Sequence, residues 1–143
     1  MKYSAGILLY KKPSDVLLVH PGGPYYTNSD MWVIPKGEIE PDEDKFEAAK
    51  RELFEETGII LDSKTIYLGE FKQSEYKSIF IWAAEQDFNP KDMIINYIEI
   101  DFCGKQIIIP EIDKAKWFDI NEAKEKIHKG QKQVLDKLEL ILF

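Results

Sequence analysis

The chain contains one cysteine, Cys103, so it cannot form an intramolecular disulfide, and a reducing compartment is expected. It has only two histidines, and no Cys/His cluster has the spacing of a zinc site. No apolar run approaches the ~20 residues needed to span a bilayer, which excludes a membrane-spanning helix. The run Ala5–Tyr10 is short and is closed by Lys11-Lys12-Pro13 without a small-residue cleavage site. It is read as a first strand rather than a signal peptide, and the cytoplasm is the expected location. Positive charge is also scarce: 19 Lys and Arg stand against 26 Asp and Glu, a net charge of −7. Such a surface repels phosphate backbones and anionic lipid, so duplex nucleic acid and membranes are not expected partners.

Hydrophobic residues make up 44% of the 143 positions and charged residues 31%, the mixture of a globular protein. One domain over residues 1–143 is expected. Residues 3–10 and 16–20 read as a hairpin, followed by a Pro- and Gly-rich loop from Pro21 toward Trp32. From Asp44 the period becomes helical: Phe46, Ala49, Leu53 and Thr57 share a stripe, Asp44 with Glu47 fits a capping box, and Gly58 fits a left-handed C-terminus. A helix over 45–57 is expected. Residues 65–72 and 76–85 read as strands around a turn at 73–75, 94–102 and 107–109 as further strands, and 121–129 and 131–143 as helices. This order predicts an α/β fold with a mixed sheet covered on both faces.

Helical geometry places Glu52, Glu55 and Glu56 on one arc of about 100°, beside the arc of the core-facing stripe. Like charges on consecutive turns repel, which costs a helix a few tenths of a kcal/mol per pair. A hard divalent cation bound through oxygen offsets that cost, and Mg²⁺ favours carboxylates together with water and substrate phosphate. Arg51 can hold the cluster by pairing with Glu47 or Glu55, or by folding toward Glu43. The bland reading of a Glu-rich helix is a solvated acidic face. It does not explain the whole array Gly37, Glu43, Arg51-Glu52-Leu53, Glu55-Glu56 and Gly58-Ile59.

That array matches the Nudix box at every defining position, and the chain resembles the Nudix hydrolase family, whose fold is an α/β/α sandwich. The resemblance implies hydrolysis of a phosphoanhydride bond in a nucleoside diphosphate-linked substrate, with Mg²⁺ or Mn²⁺ as cofactor. By motif position, Glu52, Glu55, Glu56 and the Gly37 carbonyl are expected metal ligands, and Arg51 and Glu43 orienting residues. In many relatives a later loop supplies the base, and Glu111, six residues before Trp117, is the expected one, with Asp113 as competitor. Glu52, Glu55, Glu56 and Glu111 are thus the expected catalytic carboxylates.

The flanks bear on substrate. Trp32-Val33-Ile34-Pro35-Lys36-Gly37 resembles the entry to the box in diadenosine tetraphosphate and diphosphoinositol polyphosphate hydrolases, making Lys36 a phosphate-contact candidate. Tyr76 lies about where a tyrosine marks the dinucleoside polyphosphate subfamily and is a base-stacking candidate. A diphosphoinositol substrate calls for a strongly basic pocket, whereas Lys11, Lys12, Lys36, Lys72 and Lys77 are scattered through an acidic chain. The expected substrate is a small nucleotide, a dinucleoside polyphosphate such as diadenosine tetraphosphate. A nucleoside triphosphate pyrophosphatase is the main rival. A catalytically silent nucleotide-binding sensor is the alternative of another class. His20 is read as a structural residue.

Overall fold

A computed structural model describes residues 1–143. Its centre is β1 (Lys2–Lys11), whose residues from Ser4 to Tyr10 are all buried. An unbroken apolar run of this kind is what a strand covered on both faces requires. Ala5, Ile7 and Leu9 pack beneath α1 (Lys45–Thr57), against Ala48, Ala49 and Leu53. Leu8 and Tyr10 point to the opposite face, into a core closed by α2 (Ile120–Lys126) and α3 (Lys132–Leu142) through Ala123, Val134, Leu135 and Leu138. The sheet lies between helices, as the sequence reading expected. No helix is long and apolar enough to cross a membrane.

β1 forms the expected antiparallel hairpin with β2 (Asp15–Pro21), and pairs in parallel with β5 (Lys77–Glu85) along its whole length. β5 pairs antiparallel with β4 (Thr65–Ser74), and β2 with β8 (Ile112–Asp119), giving the order β4-β5-β1-β2-β8. β1 meets β2 only at Tyr10 and Lys11, and along Ser4–Gly6 it pairs instead with β3 (Lys36–Glu38). The sheet therefore forks. In the fork, Val33 bridges Val19 and the Ile7 N–H donates to the Pro35 carbonyl at 3.3 Å. A hydrogen-bonded pair of strands, β6 (Tyr97–Phe102) and β7 (Lys105–Pro110), stands apart from this sheet. It turns through Cys103 and Gly104, both at positive φ, and leans on the Pro-Gly loop through Phe102 on Tyr25.

Two strands escaped the sequence reading. β3 has three residues and exists because β1 offers a free edge, which is a non-local cause. β8 alternates Lys114 and Lys116 with Ala115 and Trp117, and carries Asp113 and Asp119 near its ends. As an edge strand it carries the charges that block edge-to-edge pairing, and those charges mask its pattern. The expected helix 121–129 stops at Lys126, because Ile127 forms a bridge with Trp32 and the His128 N–H donates to the Trp32 carbonyl at 2.8 Å.

The helix that carries the acidic array is bounded by the signals that its sequence displays. The Asp44 carboxylate accepts from the Phe46 and Glu47 N–H groups, both at 3.1 Å. The reciprocal half of the capping box is replaced by a Glu47–Lys50 ion pair. At the other end Gly58 takes φ 81°, and a Cβ there would lie 2.9 Å from Ile94. Asp44→Ala should cost about 1 kcal/mol, read as a lower urea midpoint with an unchanged slope.

Candidate functional site

The loop before α1 is built on Arg51. Pro41 and Asp42 occupy the centre of a turn in which the Glu43 N–H donates to the Glu40 carbonyl at 3.1 Å, and Asp42 sits at φ 64°. That is the conformation for which glycine is favoured, and aspartate is among the residues that tolerate it. Glu43 accepts from the Glu40 N–H at 3.0 Å, and takes two bonds from Arg51, at 2.7 Å from Nε and 2.9 Å from Nη2. This guanidinium, followed by the Glu40 N–H, holds the Glu43 carboxyl down at about 2. Arg51 continues to the Glu38 carbonyl at 3.0 Å, to Glu52 at 2.8 Å and to Glu55 at 3.0 Å, and its own pKa rises. Of the partners open to Arg51 in the sequence, Glu43 and Glu55 are taken and Glu47 is not.

The three helical glutamates differ in environment. Glu55 is half-exposed, with Arg51 as its partner. Glu52 is largely covered and lies against Gly37, where a Cβ would come within 2.0 Å of the Glu52 carboxyl carbon. Only glycine leaves room for that carboxylate. Glu56 is 7% exposed and accepts from the Lys36 N–H at 3.2 Å. Burial, reinforced by the charges of Glu111 and Glu52 and opposed by Lys36, pushes its carboxyl well above the ordinary range. Burial raises Glu52 as well, against the pull of Arg51.

Glu111, expected from the sequence, stands between β7 and β8. Its backbone is tied to both sides, by its N–H to the Asn96 carbonyl at 2.9 Å and by the Gly22 N–H to its own carbonyl at 3.0 Å. The competitor Asp113 is engaged elsewhere, 2.9 Å from Nδ1 of the buried His20. The other ring nitrogen of His20 lies 2.7 Å from the Ser29 carbonyl, consistent with the structural role expected of it.

Glu56, Glu111 and Lys36 share a cavity of about 290 Å³ at the fork of the sheet. Its lining also includes the apolar Pro21, Met31, Val33 and Ile112, with Tyr26, and the polar Gln73, Lys77, His128 and Gln131. Tyr76 is 69% exposed on the β4–β5 turn and does not line this cavity, although Lys77 beside it does. Lys77 was read only as one of several scattered lysines, and Tyr26, His128 and the two glutamines went unread, because nothing in their local sequence marks them and only the fork brings them to one place. A wider hollow of about 500 Å³, lined by Tyr3, Ile39, Glu43, Lys45, Glu70 and Phe80, includes none of Glu52, Glu56 and Glu111.

No three Asp, Glu, His or Cys side chains enclose a ready cation site in this arrangement, where Arg51 draws Glu52 and Glu55 to itself. The donor chemistry nonetheless fits a hard dication. The donors are all oxygen, Glu111 opposes the ionisation of both Glu52 and Glu56, and Gly37 leaves space beside Glu52. Arg51 keeps its three bonds to Glu43 and the Glu38 carbonyl if it releases Glu52.

A raised carboxyl pKa favours the folded state while that carboxyl is protonated, and the gain is lost as pH rises through the folded value. Metal-free protein should therefore lose stability from Glu56 as pH climbs above the ordinary carboxylate range. At pH 8 without metal, Glu56→Gln should melt a few degrees higher than the parent chain, and Mg²⁺ should raise the melting temperature of the parent only. A lower melting temperature for the variant contradicts this account of Glu56.

A model of the NUDIX domain matches residues 2–138. Among curated proteins, the chain is 29% identical over 108 residues to an m7GpppN-mRNA hydrolase of Saccharomyces cerevisiae, covering 73% of this chain and 10% of that protein. The chain thus spans about a tenth of the length of that relative. It is 30% identical over 103 residues to a bis(5'-nucleosyl)-tetraphosphatase [asymmetrical] of Caenorhabditis elegans, covering 66% of this chain and 71% of that one. A solved structure of a C. elegans Ap4A hydrolase binary complex superposes with a TM-score of 0.67 at 23% identity, covering 99% of this chain and 98% of the other. At that identity the superposition speaks for the fold, and the match over residues 2–138 carries the assignment: the chain belongs to the Nudix family.

Proposed function

We propose that this protein is a divalent-metal-dependent pyrophosphohydrolase acting on a dinucleoside polyphosphate such as diadenosine tetraphosphate. The observation that carries this reading is Glu56, a buried carboxylate whose cavity also holds Glu111 and Lys36. Two names among the relatives suggest substrates. A capped mRNA brings a polyanion against a chain of net charge −7, whereas a dinucleoside tetraphosphate is small enough for its phosphates to enter one cavity.

In this reading Glu52 and Glu56, with Glu55 and the Gly37 carbonyl, hold Mg²⁺ or Mn²⁺. The ion supplies neutralisation of the diphosphate and activation of water. Glu111 accepts the proton of the attacking water. It is placed for this by its backbone bonds to Asn96 and Gly22, and Asp113 is excluded by its pairing with His20. Lys36 meets a phosphate oxygen, its ammonium made a weaker proton holder by burial and kept charged in part by Glu56. Arg51, anchored on Glu43, fixes where Glu52 and Glu55 stand. Tyr76 lies outside the cavity and can stack only on a base that extends beyond it.

With Mg²⁺ and diadenosine tetraphosphate, the expected products are ATP and AMP. Glu56→Gln should abolish the reaction, and Glu111→Gln should lower kcat by about a hundredfold with little change in KM. Release of pyrophosphate from nucleoside triphosphates instead identifies a triphosphate pyrophosphatase. Mg²⁺-dependent binding with no turnover identifies a sensor.

A further inference from the structure

The ribbon of β6 and β7 is under-supported where it stands. A two-stranded hairpin is marginal in water unless something packs against it, and this one packs closely on no other strand or helix. Its inner face, with Ile100, Phe102 and Ile107, is only partly buried, and its support comes from the loop of Gly23 and Tyr25. Its outer face shows Tyr97 at 61% and Ile108 at 73% exposure. Beyond the ladder between the two strands, no backbone group from Tyr97 to Pro110 has a backbone partner. Both edges of the ribbon are therefore open.

Open edges invite strand pairing, which charged side chains and bulges prevent. Other edges of this molecule are guarded in that way. β8 carries Lys114 and Lys116, β4 carries Glu70 and Lys72 with an irregular register at Gly69, and β6 carries Glu99 and Asp101. β7 is not guarded: between Lys105 and Glu111 it reads Gln106-Ile107-Ile108-Ile109-Pro110, without a charge. The turn Cys103-Gly104 closes on the pair Phe102 and Lys105. In a two-residue hairpin the closing pair exchanges both bonds, so Lys105, Ile107 and Ile109 bond inward to β6, and Gln106 and Ile108 turn their N–H and C=O groups outward. Pro110 has no N–H to offer, and Gly22 crowds its carbonyl, since a Cβ there would lie 2.1 Å from that oxygen. The open donors and acceptors of β7 are thus those of Gln106 and Ile108, set symmetrically about Ile107.

We propose that β7 pairs antiparallel with β7 of a second copy of this chain, about a two-fold axis beside Ile107, to make a four-stranded sheet from the two ribbons. In this register Gln106 of each copy lies opposite Ile108 of the other, and every open N–H and C=O of both residues is paired. Ile107 meets its own counterpart and Lys105 lies opposite Ile109, so no like charges meet. Self-pairing of β6 about its middle sets Glu99 against Glu99 or Asp101, which repels. The two-fold pairing also stops at two chains, because the edges of the new sheet are the acidic β6 strands. One strand pairing falls short of the about 1,200 Å² that a stable interface buries, so the dimer is weak, with a dissociation constant of roughly 10–100 µM. This association does not depend on what the fork cavity hydrolyses.

The test is sedimentation equilibrium of the full chain at physiological salt, from about 10 µM to about 1 mM. The weight-average mass should climb from 16.7 kDa toward twice that value. Ile108→Lys should hold it at one chain, with an unchanged circular dichroism spectrum because the side chain replaced is 73% exposed. Tyr97→Lys removes an apolar group of similar exposure from β6 and should leave the association as it is. The register is read by mild oxidation in a Cys103→Ser background, which removes the native thiol. Ile107→Cys, beside the axis, should form a disulfide-linked dimer at least about tenfold faster than Ile109→Cys, whose counterpart is Lys105. A single-chain mass at the highest concentration overturns the proposal. So does equal loss of association in Ile108→Lys and Tyr97→Lys, the mark of undirected apolar contact. Growth past two chains signals open-ended pairing of β6 on β7 and overturns the two-fold dimer, as do equal oxidation rates at positions 107 and 109.

Discussion

The guanidinium of Arg51 ties together parts of the chain that otherwise have little reason to meet. It clamps Glu43 with two bonds, reaches the Glu38 carbonyl, and turns its remaining side to Glu52 and Glu55. Removing it would free the loop over residues 38–43 from the helix and leave Glu52 facing Glu55 and Glu111 without a counter-charge. A lysine could supply the charge but not the planar fork that meets several oxygens at once. The Glu52 and Glu55 bonds are also the ones that cation binding would displace, so one residue both assembles the acidic cluster and limits its cost.

The sheet places this cluster beside a cavity of mixed charge. Because β1 gives one length of its edge to β2 and another to β3, the strands part around Val33–Lys36, and the opening becomes a cavity. α1 delivers Glu56 to one end, and the β4–β5 turn and the α2–α3 connection bring Lys77 and His128 to the wall. A buried carboxylate among carboxylates is unfavourable alone, and the Lys36 charge in the same cavity opposes that effect on Glu56. In the proposed reading a dication would meet the acids and a substrate phosphate would meet Lys36.

Much of this was legible from residues that act locally. The helix 45–57 follows from the Asp44 cap, the apolar stripe and Gly58, and the gathering of Glu52, Glu55 and Glu56 on one arc follows from the helical period. The β1–β2 hairpin and the alternation of strands with helices were equally plain. Residues whose partners are remote in sequence were not. β3 depends on a free edge of β1, and β8 is masked by its lysines. His128 ends up in the cavity because the chain after Lys126 is captured by the backbone of Trp32. Tyr76 shows the reverse, since its position in the sequence suggested a contact that the turn directs away from the cavity.

The central claim is that the substrate's phosphates bind at the cavity lined by Glu56, Glu111 and Lys36. The most direct measurement is a crystal structure of the parent chain with Mg²⁺ and a non-hydrolysable diadenosine tetraphosphate analogue. The account predicts phosphates in the cavity of Glu56, Glu111 and Lys36. An analogue seated instead in the wider hollow of Tyr3, Lys45 and Phe80, with the fork cavity empty, would contradict it.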